Sequence, residues 1–180
     1  MDIRHLTREE YKVSQWSGGT TTEVFIWPEG ASYAAREFSV RISSATVDLE
    51  ESDFTPLPGV ERYIVPLQGC FTLTHPGQLP VSMKPLDRPY RFSGGIDTHC
   101  VGKATDFNLM LKGTDGVMDV CWENAPILPG LTCLYAPEGA AIQLAGKEYA
   151  LQAGECLMIS SREAATAVTD AAVIRCHAEV

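Results

Sequence analysis

Pro58-Gly59-Val60-Glu61-Arg62-Tyr63-Ile64-Val65-Pro66-Leu67-Gln68-Gly69-Cys70-Phe71-Thr72-Leu73 is the stretch on which the fold turns. A Pro-Gly turn leads into an apolar run, a proline near a glycine breaks it, and a second apolar run follows. The same cadence returns in Pro129-Gly130-Leu131-Thr132-Cys133-Leu134-Tyr135-Ala136-Pro137-Glu138-Gly139-Ala140-Ala141-Ile142-Gln143-Leu144. Each copy runs on into a further strand-like segment, Met83 to Phe92 in the first and Glu148 to Ile159 in the second. Shared features in shared order point to a tandem duplication of a β unit. The competing account is two unrelated hairpins that happen to share Pro-Gly turns.

The rest of the chain reads the same way. Its 15 glycines and 11 prolines break it into short runs rich in β-branched and aromatic residues, such as Glu23 to Trp27. Phe38, Val40 and Ile42 alternate with Ser39, Arg41 and Ser43, the period of a half-buried strand. Helix signals are confined to Thr7-Arg8-Glu9-Glu10, where Thr7 and Glu10 form a capping box. Asp48 to Asp53 is acidic and reads as a loop or short turn. The expected class is all-β, a sandwich or barrel. Leu151-Gln152-Ala153-Gly154-Glu155 running into Cys156-Leu157-Met158-Ile159 resembles the second hairpin of a cupin barrel. Two such halves make a tandem cupin (RmlC-like) jelly roll, a bicupin. With no linker, residues 1–180 are expected to form one compact unit, its halves at about 12–110 and 111–180.

Composition narrows the function. With 14 basic against 23 acidic residues the chain carries a formal charge of −9 and shows no basic cluster. General nucleic-acid binding is therefore disfavoured. No apolar run reaches the roughly 20 residues that span a bilayer. Met1-Asp2-Ile3-Arg4-His5 lacks the apolar core of a signal peptide, so the expected location is cytoplasmic. The six cysteines, at 70, 100, 121, 133, 156 and 176, show no C-x-x-C spacing. They read as reduced, packed thiols rather than zinc ligands. The four histidines form no H-x-H pair. His75 falls at a turn, His5 and His177 lie near the termini, and His99 is the one functional candidate. No metal or other cofactor is expected, and no catalytic residue is assigned.

Three stretches carry candidate chemistry. Trp16-Ser17-Gly18-Gly19-Thr20-Thr21-Thr22-Glu23 offers glycine N–H groups and threonine hydroxyls to a small oxyanion, or else is a tight turn feeding a strand. Asp53-Phe54-Thr55-Pro56-Leu57-Pro58-Gly59-Val60-Glu61-Arg62 ends in an arginine suited to a bidentate carboxylate contact, or in a surface Glu–Arg pair. Arg41 needs an anionic partner if its face of the strand lines a barrel interior. In Ala104-Thr105-Asp106-Phe107-Asn108-Leu109-Met110-Leu111, Asp106 and Asn108 share one face, which fits a wet cavity or a structural polar network.

Taken together these stretches resemble the HutD/Ves family of bicupins. The matching segments are Gly18-Gly19-Thr20-Thr21-Thr22-Glu23, Val40-Arg41-Ile42-Ser43, Phe54-Thr55-Pro56-Leu57-Pro58-Gly59-Val60-Glu61-Arg62 and Asp106-Phe107-Asn108-Leu109-Met110. The resemblance runs from about residue 10 to 160. Two positions depart from the family pattern. Aligned on Glu23, Trp16 falls where an asparagine is usual and Ser17 where the first of three glycines is usual, which marks a divergent branch. The resemblance implies a cytoplasmic protein without established catalysis that senses a small carboxylate of histidine utilisation, such as urocanate or formylglutamate. Homodimer formation is a further implication of the cupin class. The expected ligand contacts are Trp16, Gly18, Gly19, Thr20, Thr21, Thr22, Glu23, Arg41, Ser43, Phe54, Glu61, Arg62, Asp106 and Asn108.

Three functions follow. The first is the carboxylate-binding sensor. The second is a metal-independent isomerase, lyase or hydrolase with Glu23 or Asp106 as base and His99 as acid. The third is an interaction module with no ligand. Turnover of a bound carboxylate separates the first two, and the absence of any ligand marks the third. The second half, poor in charged and hydroxyl pairs, is expected to be structural.

Overall fold

The computed structural model describes residues 1–180. After β1 (Asp2–Leu6) and a single 3-10 turn (Arg8–Glu10), ten strands follow: β2 (Lys12–Trp16), β3 (Gly19–Trp27), β4 (Val40–Val47), β5 (Glu51–Asp53), β6 (Glu61–Gly69), β7 (Phe71–Thr74), β8 (Val81–Met83), β9 (Tyr90–Ser93), β10 (His99–Val101) and β11 (Ala104–Leu111). Eight more complete the chain: β12 (Gly116–Cys121), β13 (Asn124–Ile127), β14 (Gly130–Ala136), β15 (Ala140–Leu144), β16 (Lys147–Leu151), β17 (Glu155–Ser161), β18 (Ala165–Thr169) and β19 (Val173–Ala178). No helix is long and apolar enough to cross a membrane.

The pairing shows the duplication. Strands β4 to β11 and β12 to β19 each build one eight-stranded jelly roll, and the two follow one plan. The first, eighth, third and sixth strands lie side by side in one sheet, β4-β11-β6-β9 and β12-β19-β14-β17. The second, seventh, fourth and fifth form the other, β5-β10-β7-β8 and β13-β18-β15-β16. The two Pro-Gly cadences fall at corresponding places, feeding β6 and β14. This is the double Greek key of the cupin class.

Each roll is extended differently. In the unit Tyr11–Gly113, β3 and then β2 continue the large sheet beyond β4. In the other unit, Thr114–Val180 is joined by Met1–Glu10, whose β1 pairs with β17 from Asp2↔Ser160 to Leu6↔Cys156. The first ten residues thus belong with the C-terminal roll. Half of the capping box forms: the Thr7 N–H donates to Glu10 Oε2 at 2.8 Å, while the Glu10 N–H donates to the Thr7 carbonyl oxygen at 3.1 Å rather than to its hydroxyl.

Apolar side chains between the sheets hold each roll. Ile64, Phe71, Leu73, Met83, Phe92 and Cys100 fill the Tyr11–Gly113 unit. Ile127, Leu134, Ile142, Leu144, Leu157 and Ile159 fill the other. Such fully buried branched chains contribute about 1.5–3 kcal/mol each. All but Cys70 of the six cysteines are buried, and all are free thiols.

Several local expectations are corrected. Met83 to Phe92 is two strands in different sheets, β8 and β9, because Pro85 and Pro89 lack the N–H groups a continuous ladder needs. Glu51–Asp53, read as loop, is the edge strand β5, whose acids face solvent. β4 begins at Val40 and is buried on both faces through Val40, Arg41, Ile42 and Ser43 rather than half-buried, and of the two settings left open for Arg41 the interior one holds. The threonine-rich segment lies in a strand, as one reading had it, but β3 is flanked by β2 and β4 and is not an edge.

Two glycines separate backbone freedom from close packing. Gly69 and Gly77 have nearly the same left-handed φ, +72° and +71°, but a Cβ at Gly69 would lie 2.4 Å from the Lys103 carbonyl oxygen and one at Gly77 would meet nothing within 4 Å. Gly77→Ala is expected to lose about 1 kcal/mol for the left-handed backbone. Gly69→Ala is expected to lose a further 1–3 kcal/mol or so for the forced contact. Urea denaturation of both variants checks this, and equal losses would refute the packing assignment.

Candidate functional site

Antiparallel register brings the polar residues of three strands into rows. β11 lies between β4 and β6. Met110 faces Arg41 on one side and Arg62 on the other, and Asn108 faces Ser43 and Ile64. Side chains two apart on a strand share a face. The inner face of the sheet therefore presents Arg41 and Ser43, then Asp106, Asn108 and Met110, then Arg62. These side chains line a cavity of about 350 Å³, walled also by Trp16, Tyr33 and Phe54.

Both arginines are buried, Arg41 at 6% and Arg62 at 7% exposure. They are compensated unequally. Arg41 Nε donates to Glu23 Oε2 at 2.7 Å and its Nη1 to Ser43 Oγ at 3.2 Å. Its guanidinium also lies 4.0 Å from the centre of the Tyr33 ring. Arg62 Nη2 donates to a neutral group, Asn108 Oδ1, at 3.1 Å. Its Nε has no partner. The faces of Phe54 and Phe92 lie 4.8 and 5.2 Å from its central carbon.

Asn108 Nδ2 in turn donates to Asp106 Oδ1, which locks the amide with its oxygen toward Arg62. Burial pushes the Asp106 carboxyl up to about 7, although Arg62 and the Asn108 hydrogen bond pull the other way. Burial also lowers Arg62 from its ordinary value, opposed by Asp106. A guanidinium starts so high that it stays charged. Near neutral pH the cavity therefore holds an unneutralised cation beside a carboxyl poised between its two forms.

The sequence-derived contacts divide. Trp16, Thr21, Arg41, Ser43, Phe54, Arg62, Asp106 and Asn108 line the cavity. Glu23 acts behind Arg41. Glu61 points away and pairs with Arg91 Nη2 at 2.9 Å on the outer face, because it is one residue from Arg62 on an alternating strand. Thr20 and Thr22 are likewise out of phase with Thr21. The N–H groups of this segment serve the ladders to β2 and β4 and form no oxyanion cradle. Gly19 answers to packing, since its Cβ would lie 1.9 Å from the Thr46 carbonyl oxygen. Gly18 makes room for the indole of Trp16, whose ring would lie 2.3 Å from a Cβ there.

His99 is outside this cavity. Its Nδ1 lies 2.8 Å from Asp53 Oδ1, in a neighbouring groove. It is thus not set opposite Glu23 or Asp106 as an acid–base partner. Sequence reasoning missed Tyr33, Asp53, Ser14 and Met110, which also line the cavity. Alternation through Lys12 to Trp16 held the signal for Ser14, which shares a face with Trp16. Tyr33 comes from a loop and left none. No group of three or more His, Cys, Asp or Glu side chains is placed to hold a metal ion.

The interior of the C-terminal roll closes on itself. Buried Arg175 donates to Asp119 through Nη2, and through Nη1 to the Pro126 carbonyl at 3.0 Å. Thr132 Oγ1 lies 3.2 Å from His177 Nδ1.

Comparison with solved structures places the fold. HutD from Pseudomonas fluorescens SBW25 is 19% identical, with 98% of each chain covered and a TM-score of 0.81. A conserved protein of unknown function from Pseudomonas aeruginosa PAO1 is 23% identical, covering 99% of this chain and 98% of that one, with a TM-score of 0.83. The bacterial pirin YhhW in complex with nickel(II), from Escherichia coli, is 10% identical over 98% of each chain, with a TM-score of 0.67. These likenesses show a shared cupin-like fold. No curated protein matches the chain. The HutD family model matches residues 8–176, which takes in both jelly rolls and every residue that lines the cavity. By that match the chain belongs to the HutD family.

Proposed function

We propose that this chain binds a small carboxylate metabolite in the Arg41–Arg62 cavity and serves as a cytoplasmic sensor or regulator linked to histidine or related amino-acid catabolism. The observation that carries the reading is Arg62, a buried guanidinium with a free Nε and no ion pair of its own. A carboxylate supplies the missing charge and accepts from that Nε. Arg41, already paired with Glu23, sets the positive field and holds the Tyr33 wall. Trp16, Tyr33 and Phe54 suit the hydrocarbon of a small acid. The link to histidine catabolism comes from the family, for which urocanate and formylglutamate are natural first probes.

A second reading has one observation in its favour. Asp106 titrates close to neutrality inside the same cavity, the condition for a general base. That reading gives metal-independent turnover of the bound acid, and product analysis after incubation separates it from binding alone.

A thermal-shift series with urocanate, formylglutamate and simple carboxylates tests the proposal. Saturation at about 100 times Kd raises stability by about 2.7 kcal/mol, which a melting curve resolves. Arg62→Ala is expected to weaken binding by about 2–5 kcal/mol, and Arg62→Lys by less. An Arg62→Ala chain that binds as tightly as the unaltered one would defeat the assignment.

The pH dependence has a definite sign. Asp106 is raised in the folded state, so the fold holds its proton where the unfolded chain has lost it. Its contribution to stability is complete below about pH 4 and is lost as pH rises toward 7. Asp106→Asn, which cannot ionise, is therefore expected to gain stability relative to the unaltered chain between pH 5 and 8, by on the order of a few kcal/mol. Ionised Asp106 also competes with an anionic ligand for Arg62, so carboxylate affinity is expected to fall from pH 6 to 8. Urea denaturation of the two proteins across pH checks the first part and titration calorimetry the second, and an Asn variant with the same affinity profile would contradict the second.

A further inference from the structure

Two buried side-chain nitrogens have no hydrogen-bond partner, Arg62 Nε and His75 Nε2. Both residues rest against Phe92. The Arg62 guanidinium carbon is 5.2 Å from the ring centre, and the His75 ring centre is 5.4 Å from it. They are thus within the length of one small molecule of each other. Phe54, 6.3 Å from Phe92 ring to ring, lines the arginine cavity and also a second groove in which His75 lies.

The hydrogen bonds of His75 fix its tautomer. Its Nδ1 is 3.3 Å from the Asp97 carbonyl oxygen and 3.2 Å from Thr98 Oγ1. A carbonyl oxygen only accepts. The Thr98 hydroxyl gives its hydrogen to the Ile96 carbonyl at 3.1 Å, and so accepts from the ring. In the neutral ring the hydrogen is therefore on Nδ1, and Nε2 presents a lone pair. Stacking on Tyr90, at 5.8 Å between ring centres, holds the imidazole in place.

The two orphans have opposite polarity. Arg62 Nε is a donor in a guanidinium beside Arg41 and Asp106, and His75 Nε2 is an acceptor on a residue that lines a groove with Asp53 and Asp97. With no third ligating side chain placed beside it for a metal, the lone pair suits a hydrogen-bond donor. We propose that His75 is a second recognition point of one bipartite site, so that the ligand carries a carboxylate for Arg62 and, several bonds away, an N–H group for His75 Nε2. This rests on the carboxylate reading above and narrows it. A buried acceptor left unpaired discriminates against ligands that lack the donor.

The experiment uses the full chain and two matched series of probes. One is ω-acetamido carboxylates of increasing chain length. The other is the ω-acetoxy esters, in which oxygen replaces the N–H. At the length that spans the two points, the amide is expected to bind about tenfold tighter than the ester by calorimetry. In His75→Phe that preference is expected to disappear, so that the amide and the ester of each length bind alike. Ring-¹⁵N NMR of the unaltered chain needs no substitution: the His75 Nε2 resonance moves on adding the amide and stays on adding the ester. Amides and esters that bind equally at every length would overturn the role of His75 and leave the carboxylate reading standing. A chain that binds neither series would overturn both.

Discussion

An arginine stays charged wherever the fold puts it, and the Tyr11–Gly113 unit puts two inside. Burying a charge without compensation is prohibitive, so the surroundings of Arg41 and Arg62 are constrained. Arg41 is answered with Glu23, Ser43 and an aromatic face. Arg62 is answered with dipoles and π-faces instead: Asn108, Phe54 and Phe92. Asn108 must then be fixed in orientation, which Asp106 does, and Asp106 is left close to neutrality. The polar interior of this unit follows from one cation that the protein does not neutralise.

The C-terminal roll meets the same problem and resolves it inwardly. Arg175 has a carboxylate and a main-chain carbonyl, so its charge is matched without help from outside. Two copies of one eight-strand plan thus carry different interiors. Strand order fixes where a residue sits. Which residue sits there decides whether a buried charge meets a carboxylate, as at Arg175, or only dipoles and π-faces, as at Arg62.

Most of the frame could be read from the sequence because it is local. Pro-Gly turns and apolar runs mark the strands, and their recurrence marks the repeat. Alternation along Ala104 to Leu111 put Asp106 and Asn108 on one face. What escaped depends on phase and topology. Glu61, Thr20 and Thr22 are each one residue from an inward neighbour, and only the pairing register settles which phase of the alternation faces in. Tyr33 reaches Arg41 from a loop with no periodic signal. His75 opens the turn after β7, as its place before Pro76-Gly77 indicated, but its burial was not legible. Its burial comes from Phe92 and Tyr90, on a strand of the opposite sheet. The departures at Trp16 and Ser17 fall at the hairpin tip, where the indole lies over Gly18 and lines the cavity.

The strand β1 has a consequence for synthesis. Its partner is β17, so the hydrogen bond between His5 and Glu155 joins residues 150 positions apart. At roughly 5–20 residues per second, a ribosome exposes the partner some eight to thirty seconds after β1 itself. Strand β1 is made long before it can be placed, and the Tyr11–Gly113 roll has its whole sequence before that happens. A ribosome that stalls in the second roll leaves β1 without its partner, an unpaired strand open to pairing with another chain.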